Sequence, residues 1–303
     1  MSLLHTTKNA LLIFCLLLLA FNAAHAQAGR RPGATAAAER ALTLNVIATR
    51  AGNSKLPVTA DDLALYDGGI EQKIQSFTPD PSPARIVLLV DNSLTLRTDP
   101  QKLATAMREF AFEIYEADQL MIVGYNEAAE IAADWTDDPK KVEAAVATFK
   151  KQGQPRLFDA LSAVMNEALR PLTGARQKRV VVVVGDGVDR GSKTTFSSVL
   201  AELQAQDVTV YAMQIPDRTG GAYRRDQPKP AQVIQQLAEG TGGQVFSLDD
   251  TRAAAQTICD ELRKNRYVLA YTPFNVTYSD ARRLLVSGGE GINLRYKTMQ
   301  PPK

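Results

Sequence analysis

Histidine is almost missing from this chain. The two present, His5 and His25, both fall within the first 26 residues, and cysteine is as scarce, with Cys15 and Cys259 alone. Beyond that leading segment no imidazole remains for a Ser-His-Asp or Cys-His arrangement, and zinc, which draws on imidazole and thiolate, fits poorly. A single thiol closes no internal disulfide, so the fold must be held by its core. Cys259, on an apolar helix face, reads as packing. Charge of one sign is lacking as well: 35 Lys and Arg stand against 33 Asp and Glu, a net +2. Phosphate binding needs a concentrated basic face, so this balance argues against nucleic acid as a partner. The densest basic run, Arg176 to Arg179, is expected to be the solvated start of a strand. Long hydrophobic runs are limited to ALLIFCLLLLAF, which follows Lys8 and is too short to cross a bilayer comfortably. The small-x-small pattern AHA at 24–26 follows it. Residues 1–26 are therefore expected to be a secretory signal peptide and residues 27–38, rich in Ala, Gly, Arg and Pro, a flexible tether. An uncleaved anchor is the alternative. The remainder is expected to be exported, periplasmic or secreted, with no membrane span after cleavage.

What is present is a globular composition of 303 residues, 45% hydrophobic and 22% charged. That suffices for one large domain, or one with a smaller companion. From Leu42 the chain alternates apolar and polar residues, the pattern of a half-buried strand. LALYD follows, then Asp67-Gly68-Gly69, a hairpin signal because two glycines tolerate positive φ, then QKIQSF. Residues 39–80 read as a small antiparallel unit closed by the stiff linker PDPSP.

After the linker the period changes. RIVLLV is apolar throughout, as a strand covered on both faces must be, and Asp99-Pro100 caps and starts a helix with Leu103, Met107, Phe110 and Ile114 on one face. Strands LMIVGY and AEIAADW, helices over about 138–149 and 158–169, the five-valine run RVVVVVG, and further helix and strand segments follow to about 272. Alternation of this kind means βαβ crossovers, hence an α/β domain with a mostly parallel sheet and helices on both faces. The tail segments YVLAYTP, RRLLVS and INLRYK return to β, and are expected to pair with the N-terminal strands across residues 273–303 and the end of the preceding domain. Trp135 and the Phe110 and Phe112 pair are expected to pack.

The chemistry is expected where strands end. In an open α/β sheet a ligand site lies beyond the carboxyl ends of the strands, at the point where strand order reverses. Asp91 ends the first core strand and Asp186 follows the five-valine strand. If these strands are neighbours, two carboxylates and the hydroxyls of Ser93 and Thr95 converge. Such an all-oxygen set suits a hard divalent cation, magnesium or manganese. Each residue also has a plainer reading: Ser93 and Thr95 as helix caps, Asp186-Gly187 as a turn, Asp189 as the cap of the next helix, and Asp159 as a contact at a helix start.

The run VDNSLT resembles the metal-ion-dependent adhesion site of von Willebrand factor type A domains, Asp-x-Ser-x-Ser after a buried strand. More broadly, PVTADDLALYDGGIEQKIQSF, RLFDALSAVMNEAL, VVVVVGDGVDRGS, LAEGTGGQVFSL and LRKNRYVLAYTP resemble exported bacterial proteins carrying a related domain first noticed in Acidobacteria. The resemblance implies a Rossmann-like domain that binds a protein partner through the metal, with a partner carboxylate completing the shell. It implies metal ligands Asp91, Ser93, Thr95 and Asp186. Two positions depart: Leu94 stands where relatives have glycine, and Pro155 where they have the threonine that contributes a ligand oxygen. Arg156 follows, and its guanidinium could fork onto Asp91 or Asp186 in place of a metal. The loop PDRTGGAYRRDQPKP leaves the same sheet edge, and Arg218, Tyr223, Arg224 and Arg225, with Arg156, are its candidate partner contacts.

Two other classes compete. A strand ending in Asp with a threonine four residues on also resembles the haloacid-dehalogenase phosphatases, with Asp91 as nucleophile. The general acid expected two residues later is Ser93 here, which cannot serve. The chain is therefore read as a binding protein rather than an enzyme. The third reading is a structural envelope protein with a vestigial crevice.

Overall fold

The computed structural model describes residues 41–53, 56–216 and 227–302; the expected signal peptide and tether lie outside them. In chain order the strands are β1 (Leu42–Arg50), β2 (Leu63–Asp67), β3 (Ile70–Gln72), β4 (Ile74–Pro79), β5 (Ala84–Asp91), β6 (Gln119–Tyr125), β7 (Ala129–Thr136), β8 (Lys178–Gly185), β9 (Thr209–Gln214), β10 (Val245–Ser247), β11 (Arg266–Tyr271), β12 (Arg282–Gly288), β13 (Ile292–Tyr296) and β14 (Met299–Gln300). The helices are α1 (Pro100–Glu113), α2 (Pro139–Thr148), α3 (Leu157–Ala163), α4 (Phe196–Ala205), α5 (Pro230–Thr241) and α6 (Thr251–Asp260). None of the described helices is long and apolar enough to cross a membrane.

The apolar runs form the central sheet, in the order β10-β9-β8-β5-β6-β7, parallel except for β7 at one edge. β5 is covered on both faces, which is why RIVLLV carries no polar alternation. Ile86, Leu88 and Val90 pack with Met107 and Phe110 of α1 and Ile258 of α6. Val87 and Leu89 pack with Leu161 of α3, Val199 of α4 and Leu237 of α5. Each such side chain contributes about 1.5–3 kcal/mol by leaving water. The chain lays β6 and β7 on one side of β5, then crosses to β8, β9 and β10 on the other, so strand order reverses between β5 and β8.

The helix starts follow the local sequence. Asp99 accepts from Gln101 N ahead of Pro100, and Asp138 accepts from Lys140 N ahead of Pro139. The helix expected over 158–169 is α3 continued by a wider π turn at Val164–Leu169, and α6 continues in the same way through Glu261–Asn265. Two packing expectations divide: Phe110 is fully buried and Trp135 rests on the core, but Phe112 is 71% exposed on the outer face of α1. Cys259 is buried among α6 neighbours, and burial pushes its thiol up, so it is inert packing.

The N- and C-terminal strands form two antiparallel sheets, β13-β1-β11-β4 and β14-β12-β2-β3. They share a core of Leu44, Val46, Leu65, Leu269, Tyr271, Leu284 and Val286. β11, which holds the YVLAY of YVLAYTP, hydrogen-bonds to β1 and β4 as expected of the tail strands. The β2–β3 hairpin turns on Gly68 (φ 62°) and Gly69 (φ 83°), both in the left-handed region that Asp-Gly-Gly signalled. Inside this unit Asp67, with no solvent exposure, accepts from Arg282 Nε at 2.7 Å and Tyr271 Oη at 2.9 Å.

The antiparallel sheets join the α/β domain at the amino ends of its parallel strands. Buried Arg266 donates to Thr209 Oγ1 at 3.1 Å and lies 3.5 Å from Asp80. Lys297 donates to Gln204 O at 3.0 Å and Asp207 Oδ1 at 2.5 Å. Lys178, within the basic run expected to be solvated, is buried here and donates to Ser82 O, because the incoming linker covers the start of β8. Arg179 of the same run reaches Thr173 Oγ1 and Gln206 O.

Candidate functional site

At the opposite, carboxyl ends of the parallel strands lies the reversal between β5 and β8, the place where an open α/β sheet puts a ligand crevice. β5 and β8 are direct neighbours, with Val90 opposite Val184. Asp91, the last residue of β5, is wholly buried, as is Ser93; Asp186 lies just past β8 and is also buried. A Cβ placed on Gly185 would stand 3.1 Å from Asp91 Cβ and 3.0 Å from Tyr125 Oη. The two strand tips therefore close on each other without a side chain between them, and glycine at 185 is what permits it.

Each acid is held by its own loop. Asp91 Oδ1 accepts from Ser93 N at 2.8 Å, and Asp91 Oδ2 accepts from Tyr125 Oη at 3.3 Å. Ser93 Oγ and Thr95 Oγ1 lie 3.1 Å apart. Asp186 Oδ1 accepts from Val188 N at 2.9 Å, and the turn depends on Gly187, whose φ is 80°. Neither hydroxyl caps α1, since Asp99 does so. Asp189 does not cap the next helix either; α4 starts at Phe196 with Thr195 as its cap. Asp189 instead accepts from Phe158 N at 3.1 Å and Ser192 Oγ at 2.5 Å. Asp159 accepts from Lys193 N and Thr194 N, the helix-start contact its position suggested. These bonds, with Arg190 N donating to Pro155 O at 2.6 Å, tie the loop before α3 to the loop after β8.

Arg156 is held by its backbone, whose N–H donates to Asn126 O at 2.9 Å. Its guanidinium is not forked onto Asp91. It lies beside Gly191, where it lowers the carboxyl of Asp159 after that group's own backbone hydrogen bonds have done most of the lowering against burial. Its Nε is buried without a hydrogen-bond partner. Arg218, Tyr223, Arg224 and Arg225 lie outside the described residues.

Buried acids gather at these strand tips. Burial pushes the Asp91 carboxyl above its ordinary value, against the pull of its bonds to Ser93 and Tyr125 and the charge of Lys151. Burial pushes Asp189 up too. The Tyr125 phenol is driven well above its ordinary range, first by burial and then by Asp91, Asp186 and Asp189 together. Tyr125 and the Asp189–Ser192 pair escaped the sequence reading; the signal available for Tyr125 was its place at the tip of the apolar run LMIVGY.

No group of three or more His, Cys, Asp or Glu side chains suited to a metal occurs among the described residues. The set offered is two carboxylates and two hydroxyls, which is oxygen only. Adjacent ligands of an octahedral Mg2+ with bonds of about 2.0–2.1 Å stand about 2.9 Å apart. The 3.1 Å between Ser93 Oγ and Thr95 Oγ1 is close to that edge, and Asp91 makes no ion pair among the described residues that would oppose a cation. The donor chemistry thus fits a hard divalent cation, short of the oxygen that Pro155 lacks.

Solved structures share the architecture. A von Willebrand factor type A protein from Catenulispora acidiphila superposes with a TM-score of 0.50 at 11% identity, over 82% of this chain and 74% of that one. An aerotolerance-related membrane protein from Bacteroides fragilis, bearing multiple mutations to serine, gives 0.48 at 16% identity over 60% of this chain and 99% of that one. Proximal thread matrix protein 1 of the mussel byssus, with a zinc-occupied adhesion-site motif, gives 0.46 at 14% identity over 64% of this chain. The chain spans about half of that mussel protein, 48%. At 11% identity the likeness to the Catenulispora protein is one of fold alone. No curated protein matches the chain significantly. The family model of the von Willebrand factor type A domain matches residues 86–261, more than half of the chain, and the chain belongs to that family.

Proposed function

We propose that this protein is an exported binding module, not an enzyme, which engages a protein partner through the crevice between β5 and β8. The observation that carries the reading is the convergence of Asp91, Ser93 and Thr95 at the point where strand order reverses. Asp91, Ser93, Thr95 and Asp186 would hold Mg2+ or Mn2+. When bound, the cation supplies positive charge that an acidic side chain of the partner can neutralise. Tyr125 orients the Asp91 carboxyl from below. Arg156 and, from the loop after β9, Arg218, Tyr223, Arg224 and Arg225 would contact the partner around the rim. A phosphohydrolase reading lacks its general acid, since Ser93 stands where a second carboxyl is needed.

Isothermal titration of the full chain with Mg2+ and Mn2+ tests this. Saturable heat is expected from the natural chain and none from Asp91→Ala. No heat from either would remove the cation and favour the second reading, a structural envelope protein with a vestigial crevice. Pro155 supports that reading, because it brings no side-chain oxygen and its carbonyl is already taken by Arg190 N.

A further inference from the structure

Beside the crevice a separate cavity of about 290 Å³ opens between α1 and α2. Leu103, Met107, Val146 and Phe149 supply apolar walls, and Asn92 and Lys151 line it as well, Asn92 being the residue after Asp91. Arg108 and Glu143 also line it but satisfy each other, Nε to Oε2 at 2.5 Å and Nη2 to Oε1 at 2.7 Å. Lys151 is different. Its ammonium has three donors; two go to Leu96 O at 2.7 Å and Thr98 O at 2.9 Å, and no carboxylate among the described residues pairs with it. A cation in ion-pair contact with no carboxylate, acting on Asp91 only through space, and set against apolar walls in a space near the lower end of small-ligand sites, is complementary to one chemistry.

We propose that this groove is a binding site for a small amphipathic carboxylate, an apolar ring or short chain bearing one acid, with the acid on Lys151 and the apolar body between α1 and α2. A monoanion fits because one donor remains. The same ammonium holds the carbonyls of Leu96 and Thr98, so the ligand would sit one hydrogen bond from the loop that carries Ser93 and Thr95. The site does not depend on a cation in the crevice.

Titration calorimetry of the full chain in the presence of a chelator, with 3-phenylpropionate and its neutral amide as probes, decides the matter. The carboxylate is expected to bind saturably and the amide at least tenfold more weakly. Lys151→Gln should weaken the carboxylate about tenfold and leave the amide unchanged. Ala147→Trp, at an exposed position on the groove wall, should abolish both while preserving the circular dichroism spectrum. Equal binding of acid and amide, no saturation by the acid, or full binding by Ala147→Trp would each overturn the proposal. Because chelator is present throughout, failure of the cation reading leaves this result untouched.

Discussion

Asp91 is a residue the fold would be more stable without, at least while no cation is present. Its carboxyl is buried and its folded pKa lies above the ordinary value of 3.8. The folded state therefore holds the proton more tightly than the unfolded chain. The stability tied to that proton is complete below 3.8 and is lost as pH rises through the folded value. Asp91→Asn keeps an oxygen for Ser93 N and an amide that can donate to Tyr125 Oη. It should raise the chelator-treated stability at neutral pH by about 1–2 kcal/mol, with the gain vanishing toward pH 3 to 4. Thermal melts across pH would show it. The same variant should lose any stabilisation by Mg2+, and a variant that melts lower at neutral pH with chelator would contradict this account. At this scale the sequence disclosed the acids at strand tips and the hydroxyls that follow. It did not disclose Tyr125, whose role depends on the lateral order of strands, nor the place of Arg156, which depends on how the loop before α3 folds back.

Among elements, the turn between β8 and α4 shows how closely the crevice wall is packed. Gly187 takes φ 80°, and a Cβ there would stand 2.3 Å from Pro230 O at the start of α5. Gly174 takes φ 88° with nothing within 4 Å of such a Cβ. Gly174→Ala should cost roughly 1 kcal/mol of backbone strain, whereas Gly187→Ala should cost that plus roughly 1–3 kcal/mol for displacing α5. Denaturant midpoints of the two variants would separate the terms, and equal losses would show that α5 yields freely. Elements were the most legible level. Unbroken β-branched runs announced the buried parallel strands, Asp-Pro pairs announced helix starts, and Asp67-Gly68-Gly69 announced the hairpin. What local pattern could not show was partnership over distance. Lys178 reads as a wet charge until the linker is seen to cover it, whereas the pairing of β11 with β1 and β4 follows the expectation for the tail strands.

Over the whole molecule, residues 41–303 form one compact unit in which the antiparallel core and the α/β core meet at a seam of buried ions. Arg266 sits in that seam between Asp80 and Thr209. Arg266→Met keeps the bulk but removes one of the two cations beside Asp80, Lys178 being the other, at an expected cost of about 1–3 kcal/mol, and calorimetry should resolve two transitions in place of one. A single transition at the original midpoint would mean the seam adds nothing to cooperativity. The seam lies at the amino ends of β8 and β9 and the crevice at the carboxyl ends, about 25 Å away along eight-residue strands. Leu42 pairs with Tyr271 at the end of β11 remote from Arg266. A pull entering at residue 41 would meet the β1–β11 ladder first, with the pairs from Leu42–Tyr271 to Ile47–Arg266 lying between it and the buried ions of the seam.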